Sequence, residues 1–568
     1  MYRSNRWISQ QHVTSQTLAP TVGQPKTLTH SSLTIYHSTP NAKMPSLMDL
    51  PDETLEQIFI CVADDDRLAL YDDVVYVNKR INRIASPHLL RHAPIHCMNL
   101  KRPLIPIHVL LDLFQHREQV VNVRTLFADS YEGDNSRLGE WKEYFARLTD
   151  VGNFEKIAEA APEACPELAN SSEWCYQLRN GGVDASVALL LAWCTRIVRL
   201  DYKLHRFIST EIQNLTMRLI AISVRKMLAD TNPFSRKLYP LAQLEQVVLR
   251  EPTSSSFPMQ NMVHTAPFFY LPKLKLLATT HLGTDEPLRD INHGEETVWI
   301  ESQAGRIELD PDLYISRFPI GTSPIETLIL DKTGFGSTGF LVLVRACKRL
   351  RKLGIYIDRH TAIPVNILNP ECLSDLSEAI AYHSSSLEEV TFRLLHDLAW
   401  EQYQKARVPI PLYDCFKELS HLKRLTIHLE FLYRKIGPDD WVKISPDRWE
   451  LEVELVPDRL PSNLEHLVLE SQRDVDRELI PKHIKHYQTL LRECGVDGRF
   501  SKLKSLSMPF KPKYWDFKTW VLAEGIERFE ALAESKSVQL IFGKDHFYEF
   551  PPMAPEPRPF LHGRLVQF

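Results

Sequence analysis

The sequence predicts a mixed α+β chain in which a small all-helical module is followed by an irregular α/β repeat. Three observations carry this. Leu55, Ile58, Phe59 and Val62 fall at i, i+3, i+4 and i+7, the spacing of one helix face. Downstream, the string apolar-x-x-apolar-x-apolar returns nine times. Ahead of many copies lies a short apolar stretch of helical length, such as VALLLAWCTR, FLVLVRACKR, LSEAIAYHSSS or YDCFKELSH.

Composition bounds what the chain can do. At 568 residues, with 44% apolar and 24% charged residues, it is long enough for several domains or one extended array. A net charge of -5 creates no strong field, so neither nucleic acid nor an anionic membrane is the expected partner. The longest apolar run, residues 187–194, is far shorter than the roughly 18 residues of a membrane span. Nine cysteines without a C-x-x-C pair read as reduced, mostly buried thiols of a cytoplasmic or nuclear protein.

Residues 1–43 hold 13 Ser or Thr, four Lys or Arg and no acid, and are expected to be a disordered tail. A transit peptide would need an Arg-rich amphipathic helix. Only Arg3 and Arg6 qualify, and Pro20, Pro25 and Pro40 interrupt. The ordered pattern starts directly after Met44, so a further expectation is that translation begins at Met44, which peptides from the first 43 residues would exclude.

The helical module spans 44–95. Pro51 pre-sets the backbone of a first helical turn, and Asp52 and Glu53 complement its positive end. A second helix is expected to place Val74, Val77, Asn78 and Ile81 on one face, continuing to Ile84 and Ala85. Two such helices make a small core and leave apolar surface over.

These residues resemble the F-box family. Leu50, Pro51, Asp52 and Glu53 form its Leu-Pro-acidic-Glu start, Ile58 and Phe59 its Ile-Phe pair, and Val77, Asn78, Lys79, Arg80 and Ile81 its last helix. Asp64, Asp65 and Asp66 make the connecting turn more acidic than is usual there, and Asp72 and Asp73 stand near where the family carries Leu. The resemblance implies that Leu50, Pro51, Leu55, Ile58, Phe59, Val74, Val77, Asn78 and Ile81 dock on the Skp adaptor of a cullin-RING ubiquitin ligase.

The nine copies are IVRLDY from Ile197, LEQVVL from Leu244, LKLLAT from Leu274, IETLIL from Ile325, LRKLGI from Leu350, LEEVTF from Leu387, LKRLTI from Leu422, LEHLVL from Leu464 and LKSLSM from Leu503. VRTLFA from Val123 reads as an earlier one. The last two apolar positions alternate as a strand does. Helix, turn and strand in succession predict a leucine-rich-repeat solenoid over 96–543, in which each unit buries its apolar face on its neighbours. Copies are 25 to 51 residues apart, so the units are irregular, with inserts at about 131–182 and 283–318. Residues 544–568, with PPMAPEPRP, read as an extended Pro-containing tail. Joined to the module, the array resembles a fungal-type F-box and leucine-rich-repeat protein.

In such an array the outward strand residues line the binding face. They are Arg199, Asp201, Lys203, Gln246, Arg250, Lys352, Tyr356, Glu389, Arg393, Arg424, His428, His466 and Glu470. Lys352, Tyr356, Arg393, Arg424, His428 and His466 are the candidate substrate contacts. Their basic lean predicts an acidic or phosphorylated segment of a protein substrate.

Catalytic chemistry finds little support. There is no G-x-S-x-G, H-E-x-x-H, P-loop or zinc-like cysteine set, and neither metal nor cofactor is expected. His483 and His486 have metal-ligand spacing without a third ligand nearby, and Cys194 ends an apolar helix as a structural thiol does. Gly334, Gly336 and Gly339 spell G-x-G-x-x-G between two strands, with Asp358 beyond. Asp331 precedes them where an anion would approach, so a nucleotide-dependent enzyme is the remote alternative. The leading expectation is the non-catalytic substrate-recognition subunit of an SCF-type ligase, and a scaffold with a degenerate F-box is the alternative.

Overall fold

The computed structural model describes residues 47–65, 74, 77–88, 91–96, 110, 113–129, 151–169, 172–179, 183–203, 215–250, 260–280, 282–283, 300–302, 305–307, 317–331, 337–357, 370–394, 415–428, 433–435, 441–445, 448–451, 453–455, 457–470, 480–508 and 526–542. Chain contacts divide it into two units, residues 1–55 and 56–568. The expected tails at 1–43 and 544–568 lie outside the described residues.

In the first unit, a 3-10 turn at Leu47–Asp49 closes with the Leu50 N–H on the Leu47 carbonyl. The Pro51 carbonyl accepts from Thr54 and Leu55 at 3.1 and 3.0 Å, opening helix α1 (Asp52–Asp65) with two carboxylates in its first turn.

The second unit begins with the rest of α1, where Phe59 is buried and Ile58 half-buried. Helix α2 (Lys79–Ala85) starts later than the spacing of its apolar residues predicts. Asn78 has extended backbone and accepts the Ile81 N–H at 2.9 Å through its side chain, so it caps the helix instead of lying on its face. An Asn oxygen satisfies an orphan N–H at a helix start and competes with the helix inside one, which is why the helix begins here.

Among the described residues, twelve parallel strands then form one sheet in strict chain order. They are β1 (His92–His96), β2 (Thr125–Asp129), β3 (Arg199–Lys203), β4 (Gln246–Arg250), β5 (Leu276–Thr280), β6 (Thr327–Asp331), β7 (Lys352–Ile357), β8 (Glu389–Leu394), β9 (Arg424–His428), β10 (His466–Glu470), β11 (Ser505–Met508) and β12 (Gln539–Phe542). All nine predicted copies and VRTLFA are among them. β1 overlaps the end of the stretch read as the helical module, yet pairs with β2 from His92↔Thr125 to His96↔Asp129.

The register explains the recurring string. Leu244, Val247 and Leu249 of one copy are fully buried, as are Ile325, Leu328 and Leu330, and Leu422, Leu425 and Ile427. All belong to one continuous core with the helices that precede the strands. Those helices are α3 (Val151–Ala164) and α4 (Ser172–Arg179) within the first predicted insert, then α5 (Val183–Trp193), α6 (Leu215–Ala229), α7 (Ser337–Ala346), α8 (Pro370–Tyr382), α9 (Ile480–Arg492) and α10 (Ile526–Ser535). Neighbours α5 and α6, α7 and α8, and α9 and α10 pack together. The result is a leucine-rich-repeat-like α/β solenoid in which sequence order equals spatial order.

The rungs are pinned at their leading edge. From rung to rung the carbonyl of the residue after the leading Leu or Ile accepts N–H groups at the start of the next strand: Glu326 O from Arg351 and Lys352 at 2.8 and 2.9 Å, Glu388 O from Lys423 and Arg424 at 2.9 and 3.0 Å, and Lys504 O from Gln539 at 2.8 Å. Asp184, in the first turn of α5, caps the next helix: its carboxylate accepts the Leu215 and Thr216 N–H groups at 2.6 and 3.2 Å and the Tyr202 hydroxyl at 3.0 Å. The second predicted insert holds an antiparallel pair, Ile300–Ser302 with Gly305–Ile307.

Candidate interaction face

Strand alternation gives the sheet a second face, opposite the main core. Three rows cross it, each read straight from the register. One row runs Arg199, Gln246, Leu276, Thr327, Lys352, Glu389, Arg424 and His466. The middle row runs Asp201, Val248, Ala278, Ile329, Gly354, Thr391, Thr426 and Val468. The third carries Arg250, Asp331, Tyr356, Arg393, His428 and Glu470.

The face has an apolar centre and ionic flanks. Val248, Ala278, Ile329 and Tyr356 form a buried cluster separate from the main core. Gly354 makes room for it: a Cβ there would meet the Tyr356 ring at 3.1 Å, so the ring lies over the glycine. Burial pushes the Tyr356 hydroxyl up to about 12, with a Thr391 hydrogen bond working against the shift. On one flank Arg250 holds Asp201 through two bonds of 2.7 and 2.8 Å, with Arg199 3.7 Å from the same carboxylate and over the Phe127 ring. On the other, Arg393 reaches across β9 to Glu470 at 2.6 Å. Burial raises the Glu470 pKa, and the Arg393 charge opposes that.

The predicted contact residues therefore share one face but differ in state. Lys352 pairs with Glu389 at 2.9 Å and Arg393 with Glu470, so two of the basic groups are neutralised across strands. Tyr356 is buried, Arg424 is exposed, and the His428 side chain lies outside the described residues. His466 is half-buried and its Nδ1 is 2.8 Å from the Ser505 hydroxyl. Burial and then the Arg424 charge lower its pKa. Sequence reasoning missed both cross-strand ion pairs, because Arg393 and Glu470 stand 77 positions apart and meet only once the register is known.

The expected adaptor-docking residues divide similarly. Leu55, Phe59 and Ile81 are buried, Leu50, Ile58, Val74 and Asn78 half-buried, and Pro51 exposed. Val77 is 61% exposed, directly before the capping Asn78.

Elsewhere the chemistry is structural. Burial pushes the Cys194 thiol up to about 12, so it holds its proton at neutral pH. No group of three metal-ligating side chains forms among the described residues. Of the glycine string, Gly334 and Gly336 lie outside the described residues, as does Asp358, while Gly339 sits in α7. β6 ends at the buried Asp331, and among the described strands the sheet order does not reverse at β6, unlike the switch point of an open dinucleotide-binding sheet.

No protein-family model and no curated protein matches the chain. Among solved structures it is similar to the Rad7 and Elc1 complex of yeast, at 12% identity over 72% of this chain and 93% of that one, with a TM-score of 0.17. It is also similar to the TLR13–ssRNA13 complex, at 12% identity over 75% and 62%, with a TM-score of 0.20. The repeat architecture rests on the strand order and register above, not on these likenesses.

Proposed function

We propose that the chain is the substrate-recognition subunit of an SCF-type cullin-RING ubiquitin ligase. In this reading residues 44–95 engage the Skp adaptor, the array holds a protein substrate, and transfer chemistry belongs to the partner proteins. The observation that supports it best is Val77, an apolar side chain held in water beside a capped helix start, within the Val-Asn-Lys-Arg-Ile string of the F-box resemblance. A large exposed apolar group at a fixed position is what a docking surface presents. The mechanism is positioning: two binding surfaces on one chain raise the effective concentration of substrate near the transferring enzyme. Cys61, Cys165, Cys175, Cys194, Cys347, Cys415 and Cys494 are free thiols, which fits work in the cytoplasm or nucleus.

Co-expression of the full chain with a Skp-type adaptor tests this. The expected result is a stable complex that Ile58→Asp weakens, with circular dichroism reporting that the variant is folded. A folded wild-type chain that captures no adaptor would leave the scaffold reading in its place.

A further inference from the structure

Beyond α6 the chain folds into a short, closely bonded knuckle before it re-enters the sheet at β4. The Asp230 carboxylate accepts the Asn232 N–H at 2.8 Å and the Ser235 hydroxyl, and its carbonyl accepts from Arg236 Nε. Asn232 caps the short helix Pro233–Arg236 by accepting the Phe234 N–H at 2.9 Å, and Pro233 pre-sets the first helical turn. At the other end the Lys237 carbonyl accepts from Gln243 Nε2 at 3.5 Å, and the Gln243 side-chain oxygen accepts from Lys273 Nζ.

The bonded backbone holds apolar side chains in water. Phe234 is 77% exposed and Leu238 75%, about one helical turn apart, and Leu228 in the last turn of α6 is exposed as well. Elsewhere in the array such side chains fill the core. Here they are displayed, and fixing them before contact lowers the ordering cost of binding.

The charges beside them differ from those of the neighbouring sheet edge. From β4 to β11 the residue after each leading Leu or Ile alternates in sign, from Glu245 and Lys275 to Glu465 and Lys504. The cations of that row are paired: Lys275 lies 4.0 Å from Glu245, Arg351 3.7 Å from Glu326 and 2.7 Å from Glu388, Lys423 3.0 Å from Glu388, and Lys504 2.5 Å from Glu465. In the knuckle, Lys237 lies over the Phe234 ring, 5.8 Å from its centre, and Lys273 donates to the Gln243 amide. Among the described residues neither lysine is paired with a carboxylate.

We propose that Phe234 and Leu238, with Lys237 and Lys273 beside them, dock an acidic amphipathic segment of a partner protein. Its apolar side chains cover the two exposed ones, and its Asp or Glu carboxylates reach the lysines. A second copy of the chain fits less well, because a two-fold contact would set the same lysines against each other. An anionic membrane would meet a chain of net charge -5. The knuckle is separate from the adaptor-docking residues and from the outward strand rows, so the inference stands independently of the receptor reading.

The test titrates the full chain with a labelled helical peptide that carries Leu at every third or fourth position and Glu between. Wild type should bind saturably. Phe234→Ser and Leu238→Ser should each lose about tenfold or more in affinity at an unchanged melting temperature, because both side chains are exposed. Lys237→Glu should weaken binding at low salt, with the loss shrinking at about 1 M. Val496→Ser, at an exposed position outside the knuckle, should bind as wild type does. No saturable binding by wild type, unchanged affinity in Phe234→Ser, or a clearly lower melting temperature in that variant would overturn the proposal, the last by making Phe234 structural. Equal binding of the same peptide with Lys in place of Glu would also overturn it. Tighter binding to phosphatidylserine vesicles would replace it with a membrane surface, and a concentration-dependent dimer abolished by Phe234→Ser would replace it with a contact between copies.

Discussion

The leading edge of the sheet behaves differently at its two ends. Between β4 and β11 the edge charges alternate and pair rung by rung, whereas at β1 to β3 two arginines and a valine occupy the same positions. Parallel strands in register stack equivalent side chains about 4.8 Å apart, so any repeated charge meets itself. Alternation removes that repulsion, though each exposed pair adds little stability. The lesson concerns field more than stability: along this edge the acidic and basic side chains of the later rungs are equal in number. The second face follows a related rule, with cations and carboxylates paired across strands around an apolar centre.

The largest expected effect comes from breaking the front ion pair. Asp201→Ala leaves Arg250 and Arg199 largely enclosed without their shared carboxylate, and denaturant unfolding should show a loss of about 3–5 kcal/mol. Arg393→Ala at the rear should cost less, because Glu470 already has a raised pKa and can take up a proton.

Next in size is Asp184→Ala. It strands two helix N–H groups and the Tyr202 hydroxyl, and should cost about 1–3 kcal/mol in the same measurement.

Acid should loosen the middle of the array. His264 is buried in the 3-10 segment Met262–Tyr270 and burial lowers its pKa from 6.5 to about 4. Burial also lowers His383. A depressed folded pKa means the unfolded chain binds more protons, so this stability is fully present above about 6.5 and is lost as pH falls toward 4. Melting temperature followed across that window should fall, and His264→Phe should flatten the decline.

The smallest effect sharpens the comparison of the two ends. Glu388→Lys places three cations in a row with Arg351 and Lys423, giving the rear edge the character of the front. The variant should be slightly less stable at low salt and recover near 1 M, where screening acts within about 3 Å.

Much of this fold was legible in the sequence, because burial of every third and fifth position after each leading Leu or Ile is a local pattern. The strands that escaped notice are terminal ones in which it is weaker. β1 carries the small Ala93 and Pro94, and β12 follows Ser537 where the nine copies have Leu or Ile. The paired segments Tyr433–Lys435 with Val453–Leu455 and Trp441–Ser445 with Arg448–Leu451, inserted between β9 and β10, gave no recurring signal either. The alternating edge was readable one residue beyond each leading Leu or Ile, a position that looks like ordinary surface until the rungs are aligned. The second-face pairs depend on strand order and could not be read locally. Helix α2 was misplaced because apolar spacing ran through Asn78, whose capping geometry outweighs periodicity.

The central claim, that this solenoid serves as a ligase receptor through its amino-terminal helices, is tested most directly by one titration. Calorimetry of a purified Skp-type adaptor into the full chain should give a saturable 1:1 isotherm that Val77→Asp, a change at an exposed position, weakens about tenfold or more. Absence of binding by the folded wild-type chain, or identical affinity in Val77→Asp, would contradict the account.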